Sequence, residues 1–211
     1  MTTVYFDLDG TLTDPKLGIT RSIQYALSKL DRLIPPEDEL TWCIGPPLRA
    51  SLKKLVGTDD LADKALSLYR ERFADIGIFE NEIYPGIEET LSLLSKSGRR
   101  LFIATSKPNV YAERIIDHFK LNVYFERVFG SGLDGRYSGK TELLNYALQT
   151  TGVDPLQATM IGDRSHDMIG ARNNGMTAVG VLYGYGSKEE LVDAGAHQVC
   201  ATPQELLDLA S

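Results

Sequence analysis

The sequence predicts an α/β protein with a doubly wound, mostly parallel sheet and an all-helical segment inserted after the first strand. Short continuous apolar runs that end in polar or glycine residues are typical of buried parallel strands. Segments of helical period separate these runs from about residue 84 onward, so strand and helix alternate as they do in a Rossmann-like sheet. Between residues 14 and 84 the pattern is helical.

The predicted strands are the apolar runs. The first, Thr2–Phe6, is stopped by Asp7-Leu8-Asp9-Gly10. The later ones, in chain order, are Leu101–Thr105, Ala158–Ile161, Thr177–Leu182 and the weaker Gln198–Cys200. Each run is short and apolar enough to form a strand that is buried on both faces.

The predicted helices of the sheet domain combine apolar residues at helical spacing with stop signals. Gly98, Gly152 and Asn174-Gly175 are the stop signals, and Pro108 suits the first turn of a helix. The apolar positions are Ile87, Leu91 and Leu94; Tyr111, Ile115, Ile116 and Phe119; Leu143, Leu144, Ala147 and Leu148; and Met168 and Ala171.

The inserted segment carries two apolar stripes at helical spacing. Turn-rich sequences at 13–15 and 84–86 bracket it. We therefore predict a core domain of residues 1–14 and 84–211 and a helical domain of residues 15–83. The stripes are Ile19, Ile23, Ala26, Leu27 and Leu30, and Leu61, Ala65, Leu68, Tyr69 and Phe73.

Composition excludes several classes of protein. The formal net charge of −7, from 29 acidic and 22 basic residues, argues against a nucleic-acid-binding face. The two cysteines, Cys43 and Cys200, lack the spacing of a zinc site or a disulfide framework. The chain starts without a signal-like segment, and no apolar stretch approaches membrane-spanning length. We expect a cytoplasmic protein with neither nucleic-acid nor membrane partners.

Acidic pairs follow two of the predicted strands. Asp7 and Asp9 stand two apart after the first strand, where extended backbone points both side chains the same way. Asp163 and Asp167 stand four apart after another strand, where a helix would place them on one face. Hard oxygen ligands without histidine or cysteine suit Mg²⁺. We predict that these acids gather round one Mg²⁺ ion at one edge of the sheet.

Candidate anion-binding groups lie at the end of another strand and before a later helix. Thr105 and Ser106 offer hydroxyl groups and backbone amides where a helix begins. Lys140, in a polar loop before a helix, offers a cation, and Lys107 is the alternative cation beside Thr105. Gly184-Tyr185-Gly186 lacks the third glycine of a dinucleotide site and is interpreted as a loop near the active site.

These residues resemble the four motifs of the haloacid dehalogenase superfamily, specifically its phosphatases of the phosphoglycolate phosphatase type. The first motif is Asp7-Leu8-Asp9-Gly10-Thr11-Leu12-Thr13-Asp14, and the second is Thr105 after an apolar strand. The third is Lys140, and the fourth runs from Gly162-Asp163 to Asp167. The resemblance spans nearly the whole chain and implies a Mg²⁺-dependent phosphatase for a small phosphomonoester.

The resemblance also implies a catalytic role for each residue of the first motif pair. Asp7 would attack phosphorus and form an aspartyl-phosphate. Asp9 would donate a proton to the leaving oxygen and then activate water. Because dehalogenases of the superfamily lack an acid at the position of Asp9, dehalogenation is disfavoured.

The remaining roles implied by the resemblance concern phosphate and metal. Thr105 and Lys140 would hold phosphoryl oxygens. Mg²⁺ would be bound by Asp7, Asp163 and the backbone carbonyl of Asp9, while Asp167 would bind the ion or orient its water and Lys140. Many relatives follow the third-motif lysine with proline, but here Thr141 follows it, and Lys107 therefore stays open as the main phosphate-binding cation.

The helical segment is similar to the small helical caps of the superfamily. The turn Gly45-Pro46-Pro47-Leu48-Arg49 corresponds to one that faces the substrate in related phosphatases, so Arg49 is expected to reach the leaving group. The predicted partner is a small-molecule phosphate ester, and the protein would be a monomer or homodimer. Alternatives that share the motifs are a 5′-nucleotidase, a sugar-phosphate phosphatase and a phosphoglucomutase-type phosphotransferase.

Overall fold

The computed structural model describes residues 3–209 and divides them into two compact units. The core unit contains the residues up to Thr13 and those from Ile83 onward, and the helical unit is Asp14–Glu82. Thr2, the first residue of a predicted strand, lies outside the described residues.

The core unit is built on one six-stranded sheet. The strands of the chain are β1 (Thr3–Phe6), β2 (Thr13–Asp14), β3 (Glu82–Ile83), β4 (Arg100–Pro108), β5 (Arg127–Ser131), β6 (Ala158–Gly162), β7 (Thr177–Val181) and β8 (Gln198–Cys200). The large sheet has the order β5-β4-β1-β6-β7-β8 with parallel pairing throughout, and β2 pairs with β3. The prediction of a mostly parallel α/β sheet is confirmed.

The helices of the core unit pack on this sheet. The α-helices of the chain are α1 (Lys16–Lys29), α2 (Leu48–Val56), α3 (Asp59–Phe73), α4 (Ile87–Lys96), α5 (Asn109–His118), α6 (Lys140–Thr151), α7 (Ser165–Asn173) and α8 (Lys188–Asp193). Helices α5 and α6 contact β4 and β5, and α7 contacts β6 and β7. Within residues 3–209, each helix is too short or too polar to span a bilayer.

Strand β1 lies in the middle of the sheet and is buried along its whole length. Its side chains alternate between the two faces, which explains the continuous apolar run. Tyr5 stacks on Phe102 with ring centroids 5.1 Å apart and joins the core cluster that α6 and α7 complete. Phe6 makes an edge-on contact with Phe125. The strand that leads into the first acidic pair is therefore packed against aromatic side chains on both of its faces.

The apolar pattern does not predict three of the strands: β5 in the six-stranded sheet, and the two-residue strands β2 and β3, which pair with each other at the two ends of the helical segment. The expectation that the pattern between residues 14 and 84 is helical throughout is therefore wrong at Glu82–Ile83. Strand β5 includes Arg127 and Gly130, which interrupt an apolar run. It is an outermost strand of the sheet and pairs with β4 alone. Strand β4 also runs on to Pro108, beyond its predicted end at Thr105, because a register shift between these residues lets pairing with β5 resume.

The helical unit is formed by α1, α2 and α3 with 3-10 helical segments at Glu37–Cys43 and Gly77–Phe79. Helix α3 contacts both α1 and α2. Its apolar stripe is buried at Ala65, Tyr69 and Phe73, and the last two rings stack with centroids 5.1 Å apart. Thr58 caps the start of α3 by accepting a hydrogen bond from the backbone of Leu61.

Candidate active site

The candidate site lies where three adjacent parallel strands reach their carboxyl ends. Asp7 follows β1, Asp163 follows β6, and Thr105 lies in the last half of β4. Because β1 pairs with both β4 and β6, these residues meet at one edge of the sheet. The backbone amide of Asp7 donates to the carbonyl of Ile161 at 2.8 Å, which extends the pairing up to the site.

Three carboxylates converge at this edge. Asp7, Asp163 and Asp167 each place one carboxylate oxygen within 4.8 Å of those of the other two, and all three are buried. Burial and the neighbouring charges of Asp167 and Asp7 hold the pKa of Asp163 well above its ordinary value. Burial likewise raises the pKa of Asp167 to about 6, against the opposing effect of Lys140.

The arrangement fits a small divalent cation. Three buried oxygen donors without histidine or sulfur form the kind of ligand set that suits Mg²⁺. Crowded carboxylates with raised pKa values are destabilised when ionised, and a cation between them would relieve that repulsion. Asp9 lies outside this group of three carboxylates.

Lys140 is the buried cation next to these acids. Its ammonium lies 2.7 Å from Asp167 Oδ1 and 3.2 Å from Asp7 Oδ1, and it donates to the carbonyl of Ala104 at 2.8 Å. Burial alone would lower the pKa of Lys140, but Asp167 and Asp7 outweigh burial and raise it above its ordinary value. Lys140 thus stays charged and links the nucleophile candidate to the fourth motif.

Lys107 is a second buried cation, and it contacts a different acid. Its Nζ lies 2.6 Å from Asp9 Oδ2, and the two side chains are only 5% and 10% exposed. Burial raises the pKa of Asp9, and Lys107 offsets part of that rise. Asp9 Oδ1 is buried and accepts no hydrogen bond from any residue in the described range 3–209.

Thr105 and Ser106 lie beside Lys107 at the irregular end of β4. The hydroxyl of Thr105 is buried and accepts a hydrogen bond from the backbone amide of Lys107 at 3.2 Å. The carbonyl of Ser106 accepts from the hydroxyl of Ser131 at 2.8 Å, which fixes this turn to β5. Thr105, Lys107 and Lys140 are therefore all brought to the edge that carries Asp7.

Arg49 belongs to the helical unit, where it forms ion pairs within that unit. Its Nε and Nη2 donate to the carboxylate of Asp63 at 2.6 and 3.0 Å, and its Nη1 donates to Asp59 at 3.1 Å. This fork geometry restrains the guanidinium. A contact between Arg49 and a substrate stays a prediction.

The family model of haloacid dehalogenase-like hydrolases matches residues 4–181. The chain belongs to this family. The predicted class, a phosphatase of the haloacid dehalogenase superfamily, is thereby confirmed.

Several relatives of the hydrolase are known. It is 45% identical to a 5′-nucleotidase of Pseudomonas aeruginosa, over 92% of this chain and 87% of that one. It is 38% identical to the tyrosine-protein kinase PtkA of Mycobacterium tuberculosis over 87% of this chain but 62% of that protein, and 31% identical to a phosphoglycolate phosphatase of Caulobacter vibrioides over 93% and 85%. The crystal structure of a predicted phosphatase from Clostridium acetobutylicum superposes with a TM-score of 0.95 at 42% identity, covering 99% and 97% of the two chains.

Sequence reasoning did not identify the groups that hold Asp163 in the hydrolase. The backbone amide of Tyr185 donates to Asp163 Oδ2 at 2.8 Å, and the hydroxyl of Thr11 donates to Oδ1 at 3.4 Å. A side chain at Gly184 would overlap the carbonyl of Gly10 and the Cβ of Asp163. The Gly184-Tyr185-Gly186 pattern places a loop near the site, but only the fold reveals that the loop packs directly on Asp163.

Replacing Gly184 with alanine is expected to weaken Mg²⁺ binding by the hydrolase about 10- to 100-fold. The added methyl group must displace Asp163 or the backbone of Gly10. Isothermal titration of the folded variant with Mg²⁺ measures the effect.

Gly98→Ala is the matched control, because its Cβ would meet no atom within 4 Å. Because φ is +81° at this position, the alanine should lower thermal stability without changing the affinity for Mg²⁺. Unchanged affinity in Gly184→Ala would contradict this role of the loop.

Proposed function

We propose that the hydrolase removes phosphate from a small phosphomonoester with Asp7 as its nucleophile and Mg²⁺ as its cofactor. The observation that carries this proposal is the convergence of Asp7, Asp163 and Asp167, with the ammonium of Lys140 between two of them. Phosphoryl transfer requires a nucleophile and cations that neutralise the negative charge of the phosphoryl group. A site that gathers acids and buried cations at one edge of the sheet suits this chemistry.

Asp7, Asp163 and Asp167 would hold Mg²⁺ together with the backbone carbonyl of Asp9. When bound, the ion would neutralise charge on the phosphoryl group and on the acids around it. The hydroxyl of Thr105 and the ammonium of Lys140 would hold phosphoryl oxygens. Lys140 also orients Asp7, since it lies 3.2 Å from Asp7 Oδ1.

Asp7 would attack the phosphorus atom and form an aspartyl-phosphate while the ester oxygen departs. Its carboxylate is buried and held by the backbone amide of Leu8, which donates to Oδ1 at 2.7 Å. Asp9 would give a proton to the departing oxygen and then take one from the water that releases phosphate. Splitting the hydrolysis in this way replaces one difficult step by two easier ones.

The proposed substrate is a nucleoside 5′-monophosphate. The 45% identity to a 5′-nucleotidase over nearly the full length of both chains supports this choice. The motif resemblance and the weaker identity to a phosphoglycolate phosphatase support 2-phosphoglycolate as the second candidate. The proposal also includes a cap formed by residues 15–83, with Arg49 as a contact to the leaving group. It further includes a cytoplasmic location and a monomeric or homodimeric state.

A substrate panel distinguishes these candidates. Purified protein with Mg²⁺ is assayed for phosphate release from nucleoside 5′-monophosphates, 2-phosphoglycolate and sugar phosphates. We expect the highest kcat/KM for a nucleotide and little or no activity in EDTA. A preference for 2-phosphoglycolate would support the second candidate. Isomerised sugar phosphate, or phosphate transfer from ATP to a tyrosine peptide in place of hydrolysis, would overturn the proposal.

A further inference from the structure

Lys107 and Asp9 form a buried ion pair, and the proposed mechanism gives Lys107 no role. The two residues are 98 positions apart and lie on the neighbouring strands β4 and β1 or just beyond them. Both side chains are almost fully buried, and the Nζ to Oδ2 distance is 2.6 Å. A charge-assisted hydrogen bond of this length in a site shielded from water restricts the orientation of the carboxylate strongly.

The two cations of the site serve different acids. Lys140 contacts Asp7 and Asp167, while Lys107 contacts Asp9. The backbone of Lys107 is also fixed, because its amide donates to the hydroxyl of Thr105. Lys107 is therefore anchored at both ends, to the second motif through its backbone and to Asp9 through its ammonium.

The two oxygens of Asp9 have unlike surroundings. Oδ2 accepts from Lys107, whereas Oδ1 is buried and accepts no hydrogen bond within residues 3–209. Buried polar atoms in proteins are nearly always paired, so one that stays unpaired requires an explanation. An oxygen that exchanges a proton with a substrate group would be unpaired until that group binds.

We propose that Lys107 is a positioning residue that holds Asp9 through Oδ2 and so presents Oδ1 as the atom that transfers the proton. This inference rests on the proposed function. In the first step Asp7 forms a bond to phosphorus as the ester P–O bond breaks, and the proton on Asp9 Oδ1 passes to the departing oxygen. In the second step the same Oδ1 takes a proton from a water molecule while the oxygen of that water forms a bond to phosphorus. The aspartyl-phosphate bond breaks, which releases phosphate and the Asp7 carboxylate.

The test compares two leaving groups with Lys107→Met. A nucleoside 5′-monophosphate releases a strongly basic alkoxide and needs the proton, whereas 2,4-dinitrophenyl phosphate releases a weakly basic phenolate and does not. We expect kcat/KM for the nucleotide to fall about 10²- to 10³-fold, and that for the dinitrophenyl ester to fall less than about 10-fold. Because kcat/KM reports only the steps up to phosphoenzyme formation, slower hydrolysis of the intermediate leaves this comparison unaffected.

A second readout follows the second step. Without a well-placed Oδ1, hydrolysis of the aspartyl-phosphate becomes slow, so Lys107→Met should show a burst of dinitrophenolate of about one equivalent per enzyme. Lys107→Met added to Asp9→Asn should cause no further loss of nucleotide kcat/KM, since Lys107 acts through Asp9. Lys96→Met is the matched control, because Lys96 is exposed in α4, and it should leave both substrates unaffected.

The opposite outcomes overturn the inference. If Lys107 binds the phosphoryl group instead, kcat/KM for both esters falls equally and the inhibition constant of inorganic phosphate rises. If Lys107→Met fails to fold, Lys107→Gln is measured in its place, and it should show the same dependence on the leaving group. A wild-type protein that hydrolyses no ester would refute the proposed function itself, whereas equal losses in an active enzyme refute only the role of Lys107.

Discussion

Asp7→Asn should abolish phosphate release, with kcat lowered by at least about 10⁴-fold. An amide cannot attack phosphorus, so the aspartyl-phosphate cannot form. The substitution keeps the shape of the side chain and the oxygen that accepts from the amide of Leu8, and the fold should be preserved. Steady-state phosphate release measures the loss. Rapid quenching with the dinitrophenyl ester followed by peptide mass analysis should detect phosphate on Asp7 in the wild type only.

Asp117→Asn is the matched control for this prediction. Asp117 is exposed on α5, so the same chemical change there should leave kcat within about twofold of the wild type. Full activity in Asp7→Asn, or trapped phosphate on another residue, would refute Asp7 as the nucleophile.

The positions of the central acids could be predicted because they depend on local sequence and on parallel pairing alone. An apolar run that stops at an acid places that acid at the end of a buried strand, and this holds for Asp7 and for Asp163 after Gly162. Residue pairing such as Phe6 with Ile161 then brings both ends to the same level of the sheet. Backbone pairing alone is enough to place the two acids near each other, whatever conformations the side chains adopt.

Which acid each of the two buried lysines contacts could not be predicted. Lys107 and Lys140 are both placed near the site by their positions in the sequence, but which acid each contacts depends on side-chain direction across neighbouring strands. The structure separates them, with Lys140 on Asp7 and Asp167 and Lys107 on Asp9. The same limit applies to the loop of Gly184, whose packing on Asp163 joins residues far apart in the chain.

Strand β5 and the ion pairs of Arg49 show two further limits of pattern reading. Edge strands need fewer apolar residues than central ones, so Arg127 and Gly130 obscure β5. The partners of Arg49, Asp59 and Asp63, lie 10 and 14 residues later, across the turn between α2 and α3. Charged residues at such separations in sequence give no periodic signal.

Without bound metal, the free energy of unfolding of the hydrolase should decrease as pH rises, and this is the largest effect on stability that we expect. The pKa of Asp163 is raised well above its ordinary value, and that of Asp167 is raised to about 6. The folded state therefore binds more protons than the unfolded state between the ordinary carboxyl pKa and these raised values. The contribution of these two acids to the free energy of unfolding without metal therefore falls as pH rises through that window.

Mg²⁺ should reverse this trend, because the ion binds only the ionised carboxylates. At about 100 times its Kd it would add about 2.7 kcal/mol, or about 5–10 °C in Tm for a chain of this size. Thermal unfolding is measured from about pH 5 to about pH 8, in EDTA and in Mg²⁺. The increase in Tm should widen as pH rises. An increase that stays constant with pH would contradict the raised pKa values.

Asp163→Asn isolates the contribution of the acid cluster from those of other titrating groups. Burial lowers the pKa of His166, which makes stability rise with pH and so opposes the trend from the acids. His166 is present in both proteins, so its contribution cancels in the difference between wild type and variant. Without metal, Asp163→Asn should be more stable than the wild type near neutral pH and should respond little to Mg²⁺. A variant less stable than the wild type in EDTA would mean that the hydrogen bonds from Tyr185 and Thr11 outweigh the repulsion among the carboxylates.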